Sequence, residues 1–262
     1  MDSISLFWLE ILGEAASAVR ERIRHLLPER GTMSIPSFKE RLDLQAHEAI
    51  VETLRGRGVS ARLVSEEGEE TFGGGEFTVT ADPVDGTTNL ARGLPPSVVS
   101  LSAARGRFQS EVVAALVSDL PSGSTYAADP VRGAMRDGRP VMVSGPVAYR
   151  DGLISVDVSK MDDLSTMVPL ITRARHIRAA GCAASSLCRV AEGLLDAHVD
   201  ERGSIRAVDV SAGLFILKQA GGVWAVDGDP FRDFPLQRET RFRLTAASSR
   251  DLLEEIWAGP AR

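Results

Sequence analysis

The stretch ADPVDGTTN at 81–89 sets Asp82 and Asp85 three positions apart, with a glycine and two threonines behind them. The preceding EFTVTA alternates as a strand does, and Pro83, which lacks an N–H, is expected to end it. Asp82 then stands at a strand end and Asp85 a little further on. GTTN can begin a helix, because Gly permits unusual backbone angles and Thr and Asn suit helix starts. Two carboxylates would therefore lie beside free backbone N–H groups at a positive helix terminus, a natural phosphate site. Carboxylates alone repel phosphate. A hard divalent cation between them removes the conflict, since Mg²⁺ takes a few carboxylates together with substrate oxygens and water. The plainer reading, in which the pair caps a helix and shapes a turn, stands unless further ligands come from elsewhere in the chain.

Two segments offer such ligands. SEEGEE at 65–70 follows the strand-like ARLV, which puts Glu66 at a strand end next to the Asp82 strand, while Glu69 and Glu70 read as a solvated acidic turn. Asp209, in AVDVSAGLFILKQAGG, stands near the start of a helix that is otherwise apolar. An acid there also serves simply as a favourable helix-dipole charge.

The elements that must position these residues follow from periodicity. Residues 1–27 read as an amphipathic helix stopped by Pro28. A second helix runs from about Leu42 to Arg55, with Leu44, Ala46, Ile50, Val51 and Leu54 on its apolar side, and GTMSIPSFKE before it reads as a mobile loop. Then come short strands, ARLVS, FTVTA, SVVSLSAA, EVVAALVSD, STYAAD and VMVSG, separated by Gly, Pro and Asp as in an antiparallel meander. After residue 146 strands alternate with helices: GLISVDV, a helix over 164–174, ASSLCRVAEGLL, DAHVD, DVSAGLFILKQA closed by Gly221 and Gly222, and VWAVDG. The expected class is α/β, with an α+β half over 1–146 carrying the Asp82 and Asp85 motifs and an α/β half over 147–262 carrying Asp209.

Composition narrows the function classes. Hydrophobic residues make up 44% of the chain, charged residues 25%, and the net charge is −6. That acidic balance argues against a general nucleic-acid binder, which carries a basic face. The amphipathic start is interrupted by Glu10, Glu14 and Arg20, unlike a signal peptide, and no apolar run approaches the roughly 18 residues of a membrane span. Cys182 and Cys188 lie in one helix, about 9 Å apart at 1.5 Å per residue, beyond the roughly 7 Å reach of a disulfide. The chain is expected in the reducing cytoplasm, away from membranes. GxSxG and P-loop patterns are absent, and His25, His47, His176 and His198 lack zinc-ligand spacing.

Taken together, SEEG, DPVDGTTN and DVSAGLFILKQAGG, in this order, resemble the inositol monophosphatase family of Mg²⁺-dependent sugar phosphatases. RAAGCAASSLCRVAEGLLDAHVD extends the likeness, which covers residues 40 to 226. The resemblance implies a layered αβαβα sugar-phosphatase fold and a homodimer. It implies one Mg²⁺ held by Glu66, Asp82 and the Val84 carbonyl, and a second held by Asp82, Asp85 and Asp209. Gly86 and Thr87 would offer N–H groups to the phosphate, and the Thr87 hydroxyl with Glu66 would orient the attacking water. Asp43 matches a family aspartate linked to that threonine and to a weaker third metal, although SFKERLD lacks the Thr usual ahead of it. Metal-activated water would attack in line, without a phosphoenzyme.

Among family branches, LDAHVDERGSIRAVD resembles the archaeal type, which acts on inositol monophosphate and fructose 1,6-bisphosphate. Val208 replaces the Trp of the better-known monophosphatases. Arg202 and Arg206 would suit a second phosphate; a solvated strand edge is the competing reading. Arg178 and Ala183 fall where family members contact substrate. The expected partner is a small phosphorylated sugar or cyclitol. The alternatives are a 3′(2′),5′-bisphosphate nucleotidase, whose motif usually continues DGT with Lys and Glu, and a non-catalytic role with the transcription machinery.

Overall fold

In the computed structural model, residues 3–230 and 232–258 are described. Two long helices come first, α1 (Ser3–Leu26) and α2 (Ile35–Gly56). In α1, Trp8, Ile11, Leu12, Ala15, Val19 and Ile23 form one buried stripe at helical spacing. α2 begins well before the expected Leu42, so residues 35–40 of the supposed loop are helix. Pro36 sits in its first turn, where a missing N–H costs nothing, and the Ser34 hydroxyl accepts from Ser37 N–H as the cap. Leu44, expected on the apolar side, is exposed.

The first sheet holds β1 (Ala61–Ser65), β2 (Glu69–Phe72), β3 (Phe77–Asp85), β4 (Val98–Ala104), β5 (Val112–Asp119), β6 (Thr125–Asp129), β7 (Gly133–Arg136) and β8 (Arg139–Pro140), with the short helix α3 (Thr87–Arg92) between β3 and β4. Its order is β2-β1-β3-β4-β5-β6-β7-β8. The meander is antiparallel except at β1 and β3, which run parallel. Glu69 and Glu70 belong to β2, paired with Val64 and Leu63, and not to an open turn. VMVSG at 141–145 is not a strand; Val141 and Val143 each donate one backbone bond, to Ala134 and Ala220, without forming a ladder.

Then follow β9 (Leu153–Val156), α4 (Val168–Arg173), β10 (His176–Arg178), α5 (Ala183–Ala191), β11 (Ala197–Arg206), α6 (Ala207–Gln219), β12 (Val223–Val226), β13 (Arg241–Ala247) and α7 (Arg250–Ala258). The second sheet has the order β10-β9-β11-β13-β12. β13 and α7 went unread in the sequence, and DAHVD supplies only the first four residues of a ten-residue strand.

Three apolar cores define the layers. One joins α1 and α2 to the first sheet, a second encloses α5 and α6 between the sheets, and a third packs α4 and α7 on the outer face of the second sheet. Adjacent residues of β13 face different cores, Ala246 the second and Ala247 the third, as the two-residue period of a strand requires. The result is the αβαβα layering. α6 lies in its middle, which is why its sequence is apolar nearly all round. There α5 and α6 pack closely, and a Cβ on Gly213 would sit 2.9 Å from Leu187 Cβ and Cδ1. Cys182 and Cys188 are both free and buried. Among the described residues, no helix is long and apolar enough to cross a membrane.

Candidate metal centre

β3 does not stop at Pro83. It runs to Asp85, with a register shift between Asp82, paired with Ser100, and Asp85, paired with Val98. The proline is accommodated in that irregularity, where no ladder bond is needed from it. Val84 N–H donates to Asp82 Oδ1 at 3.1 Å, which fixes this carboxylate at the bend. Gly86 follows with φ of 86°, and a Cβ there would meet the Pro96 carbonyl oxygen at 2.7 Å, so only glycine fits. α3 then starts at Thr87, whose N–H has no acceptor within the helix.

The parallel pairing of β1 with β3 brings Glu66 alongside. Glu66 N–H donates to the Ala81 carbonyl at 3.1 Å, and Arg238 Nη2 donates to the Glu66 carbonyl at 2.7 Å. Ser65 Oγ accepts from Glu67 N–H and lies 3.0 Å from His47 Nδ1, which holds the turn against α2. Asp209 arrives from the other side at the first turn of α6, where its Oδ2 accepts from Arg206 N–H at 2.9 Å. A buried row of hydroxyls ties that helix to the sheet: Thr80 to Ser102 at 2.7 Å and Ser102 to Ser211 at 2.8 Å.

Carboxylate oxygens of Glu66, Asp82 and Asp209 consequently lie within 4.8 Å of one another. Three hard oxygen ligands from three elements, one of them wholly buried, are what a small divalent cation takes while leaving positions for water and a phosphate. The electrostatics agree. Burial, then the charges of Asp85, Glu66 and Asp209, pushes the Asp82 carboxyl well above the usual range. Burial raises Asp209 against the opposing pull of Arg206. Such a cluster cannot ionise fully without added positive charge, so the donor set fits Mg²⁺.

Asp85 is not in that converging set. Its Oδ2 accepts from Ala184 N–H at 2.7 Å, at the start of α5, and Cys182 Sγ donates to its carbonyl at 3.5 Å. Burial raises its carboxyl to about 7, opposed by the Ala184 N–H and assisted by the Asp209 charge. The Thr87 hydroxyl is within donating distance of Asp43 Oδ1, at 3.0 Å, and of the Val84 carbonyl, at 2.9 Å. Asp43 is also raised to about 7, first by burial, then, against the Thr87 bond, by Glu67 and Glu66.

The other expected contacts are dispersed. Ala183 opens α5 beside Asp85. Arg178 is exposed on β10, donates to the Ile177 carbonyl, and lines a cavity of about 680 Å³ with Asn89, Ala180 and Ser185. Asn89 Nδ2 bridges the Pro96 and Ala180 carbonyls and so fastens α3 to that wall. Arg202 is held within the protein by Asp200, at 2.5 Å, and Asp157, at 3.1 Å. Arg206 reaches the centre itself, with Nη2 2.7 Å from Glu66 and 2.9 Å from Asp209. Arg238 was missed in the sequence, where it sits in the irregular segment before β13 with no motif around it.

The family model described as inositol monophosphatase family matches residues 8–257. The chain is similar to the fructose-1,6-bisphosphatase/inositol-1-monophosphatase of Archaeoglobus fulgidus, 31% identical over 92% of each chain, and to that of Thermococcus kodakarensis, 28% identical over 95% of each. Among solved structures it is similar to a hypothetical protein from Pyrococcus horikoshii described as having similarities for inositol-1 monophosphatase. That match has a TM-score of 0.82 at 25% identity and covers 98% of this chain and all of the other.

Proposed function

Because the chain belongs to the inositol monophosphatase family, we propose that it is a Mg²⁺-dependent phosphatase that removes phosphate from a small sugar or cyclitol phosphate, inositol 1-phosphate and fructose 1,6-bisphosphate among them. The observation that carries this reading is the convergence of Glu66, Asp82 and Asp209 within 4.8 Å beside Thr87 and its partners. Glu66, Asp82, Asp209, Asp85 and the Val84 carbonyl would hold the cations, two of them, with Asp43 near a third. Bound Mg²⁺ supplies positive charge that acidifies water and offsets charge on the departing oxygen.

The chain's own groups do the rest. Thr87 Oγ1, anchored between Asp43 and Val84, fixes where a water proton is accepted, with Glu66 as the second acceptor. The N–H groups of Gly86 and Thr87 would face phosphate oxygens, at a turn where a Cβ on Gly86 would collide with the Pro96 carbonyl. Ala183 and Arg178 would contact the sugar. Arg202 is committed to ion pairs with Asp157 and Asp200, so it would meet substrate only by leaving them. A homodimer and a cytoplasmic setting complete the proposal; Leu94, Met142 and Leu194 are apolar and exposed, as an interface between copies would use.

The test is phosphate release with Mg²⁺ from inositol 1-phosphate, fructose 1,6-bisphosphate and 3′-phosphoadenosine 5′-phosphate, with Asp85→Asn as control. Turnover of either of the first two, lost in the variant, is expected. Preference for the nucleotide would replace the sugar by a nucleotide as substrate, and no release from any of the three would overturn the proposal.

A further inference from the structure

Glu66 and Asp209 already share a cation, and it belongs to the chain. Besides the two Nη2 contacts, Arg206 Nε donates to both Asp209 oxygens, at 3.0 and 3.2 Å. A guanidinium so placed and a divalent cation among the same oxygens would stand a few ångströms apart in a partly buried site, where like charges repel strongly. The main chain of Arg206 is fixed by its N–H bond to Asp209 at 2.9 Å, so only the side chain is free to yield. It has somewhere to go. A recess of about 220 Å³ beside the centre is lined by Glu66, Arg206, Val208, Arg238, Glu239 and Arg241. Glu239 is exposed, and among the described residues its contact with Arg241 is through its carbonyl, leaving its carboxylate without an ion-pair partner.

We propose that Arg206 is a displaceable resident cation, which neutralises Glu66 and Asp209 in the metal-free chain and swings toward Glu239 when a divalent cation takes their oxygens. The inference rests on the metal reading above. It makes metal affinity a competition: the acidic cluster never faces itself without a counter-charge, and the metal binds more weakly than the carboxylates alone would dictate. If Arg206 were instead a fixed support that orients the ligands, its removal would weaken metal binding.

Calorimetric titration of Mg²⁺ into the EDTA-stripped full chain, together with Tm with and without Mg²⁺, separates these. Arg206→Gln is expected to bind Mg²⁺ about tenfold tighter, equivalent to about 1.4 kcal/mol, and to melt lower than wild type only when metal is absent. Glu239→Gln is expected to weaken binding by about threefold, and this effect should vanish in the Arg206→Gln background, because it acts through the arginine. Should Arg206→Gln not fold without metal, Arg206→Lys, which keeps the charge and loses the fork, should still bind Mg²⁺ tighter than wild type. Unchanged or weaker binding in the Arg206 variants overturns the proposal and leaves the metal reading standing. An equal effect of Glu239→Gln in both backgrounds overturns the swing. Absence of Mg²⁺ binding in wild type and variants alike removes both the proposal and the metal reading.

Discussion

The Thr87 hydroxyl has one proton and two acceptors in reach, Asp43 and the Val84 carbonyl. With its proton so engaged, the oxygen keeps lone pairs with which to accept from a water, as the proposed role requires. Thr87→Ala should lower kcat by about 10²-fold or more, while Thr87→Ser keeps most of it; steady-state phosphate release checks this. Asp43 has a folded pKa of about 7, against about 3.9 in an unfolded chain. Between those values the native state binds the extra proton, so this group makes metal-free stability fall as pH rises from about 4 to about 7. Asp43→Asn should flatten that part of a Tm–pH profile taken in EDTA; an unaltered slope would contradict it. Burial, assisted by the Asp85 charge, raises both cysteine thiols, so native protein at pH 8 should resist iodoacetamide and react only after unfolding. The convergence of Glu66, Asp82 and Asp209 was legible because each acid stands at a strand or helix end within a recognisable motif. Arg238 was not, because it acts through a main-chain carbonyl and no residue type is dictated around it.

Two elements carry the site's precision. α6 brings Asp209 and α5 offers Ala184 N–H to Asp85, and the pair packs where Gly213 leaves no room for a side chain. Gly213→Ala should cost about 1–3 kcal/mol by overpacking, seen as a lower Tm, and should reduce Mg²⁺ affinity through the shift it forces on Asp209. A Tm loss with wild-type metal affinity would mean the two helices move without disturbing the centre. Helices with clear stripes or closing glycines were readable from periodicity. Pro83 is expected to end β3, yet the strand continues, because a strand irregularity tolerates a missing N–H; the stretch around Pro36 reads as a loop, yet it is helix, because a first helical turn tolerates the same loss. β2 was obscured by its charged residues, since an edge strand leaves one face to water. β13 was obscured by alternating arginines that point outward from an interior strand.

On the scale of the molecule, Asp43, Glu66, Asp82, Thr87 and Asp209 come from both ends of the chain and meet where α2, the first sheet and α6 converge. The layering was legible through the family resemblance, while periodicity indicated only the mix of helices and strands. That α6 crosses to line the first sheet, and so delivers Asp209 to Asp82, is a tertiary fact that no local pattern encodes. The central claim is that these carboxylates serve catalysis by holding Mg²⁺. The most direct measurement is phosphate release from fructose 1,6-bisphosphate and inositol 1-phosphate by EDTA-stripped protein, with Mg²⁺ then restored, for wild type and Asp82→Asn. No release is expected without metal, with recovery in wild type on adding Mg²⁺ and none in Asp82→Asn despite a folded chain. Metal-independent turnover, or full recovery in the variant, would contradict the claim.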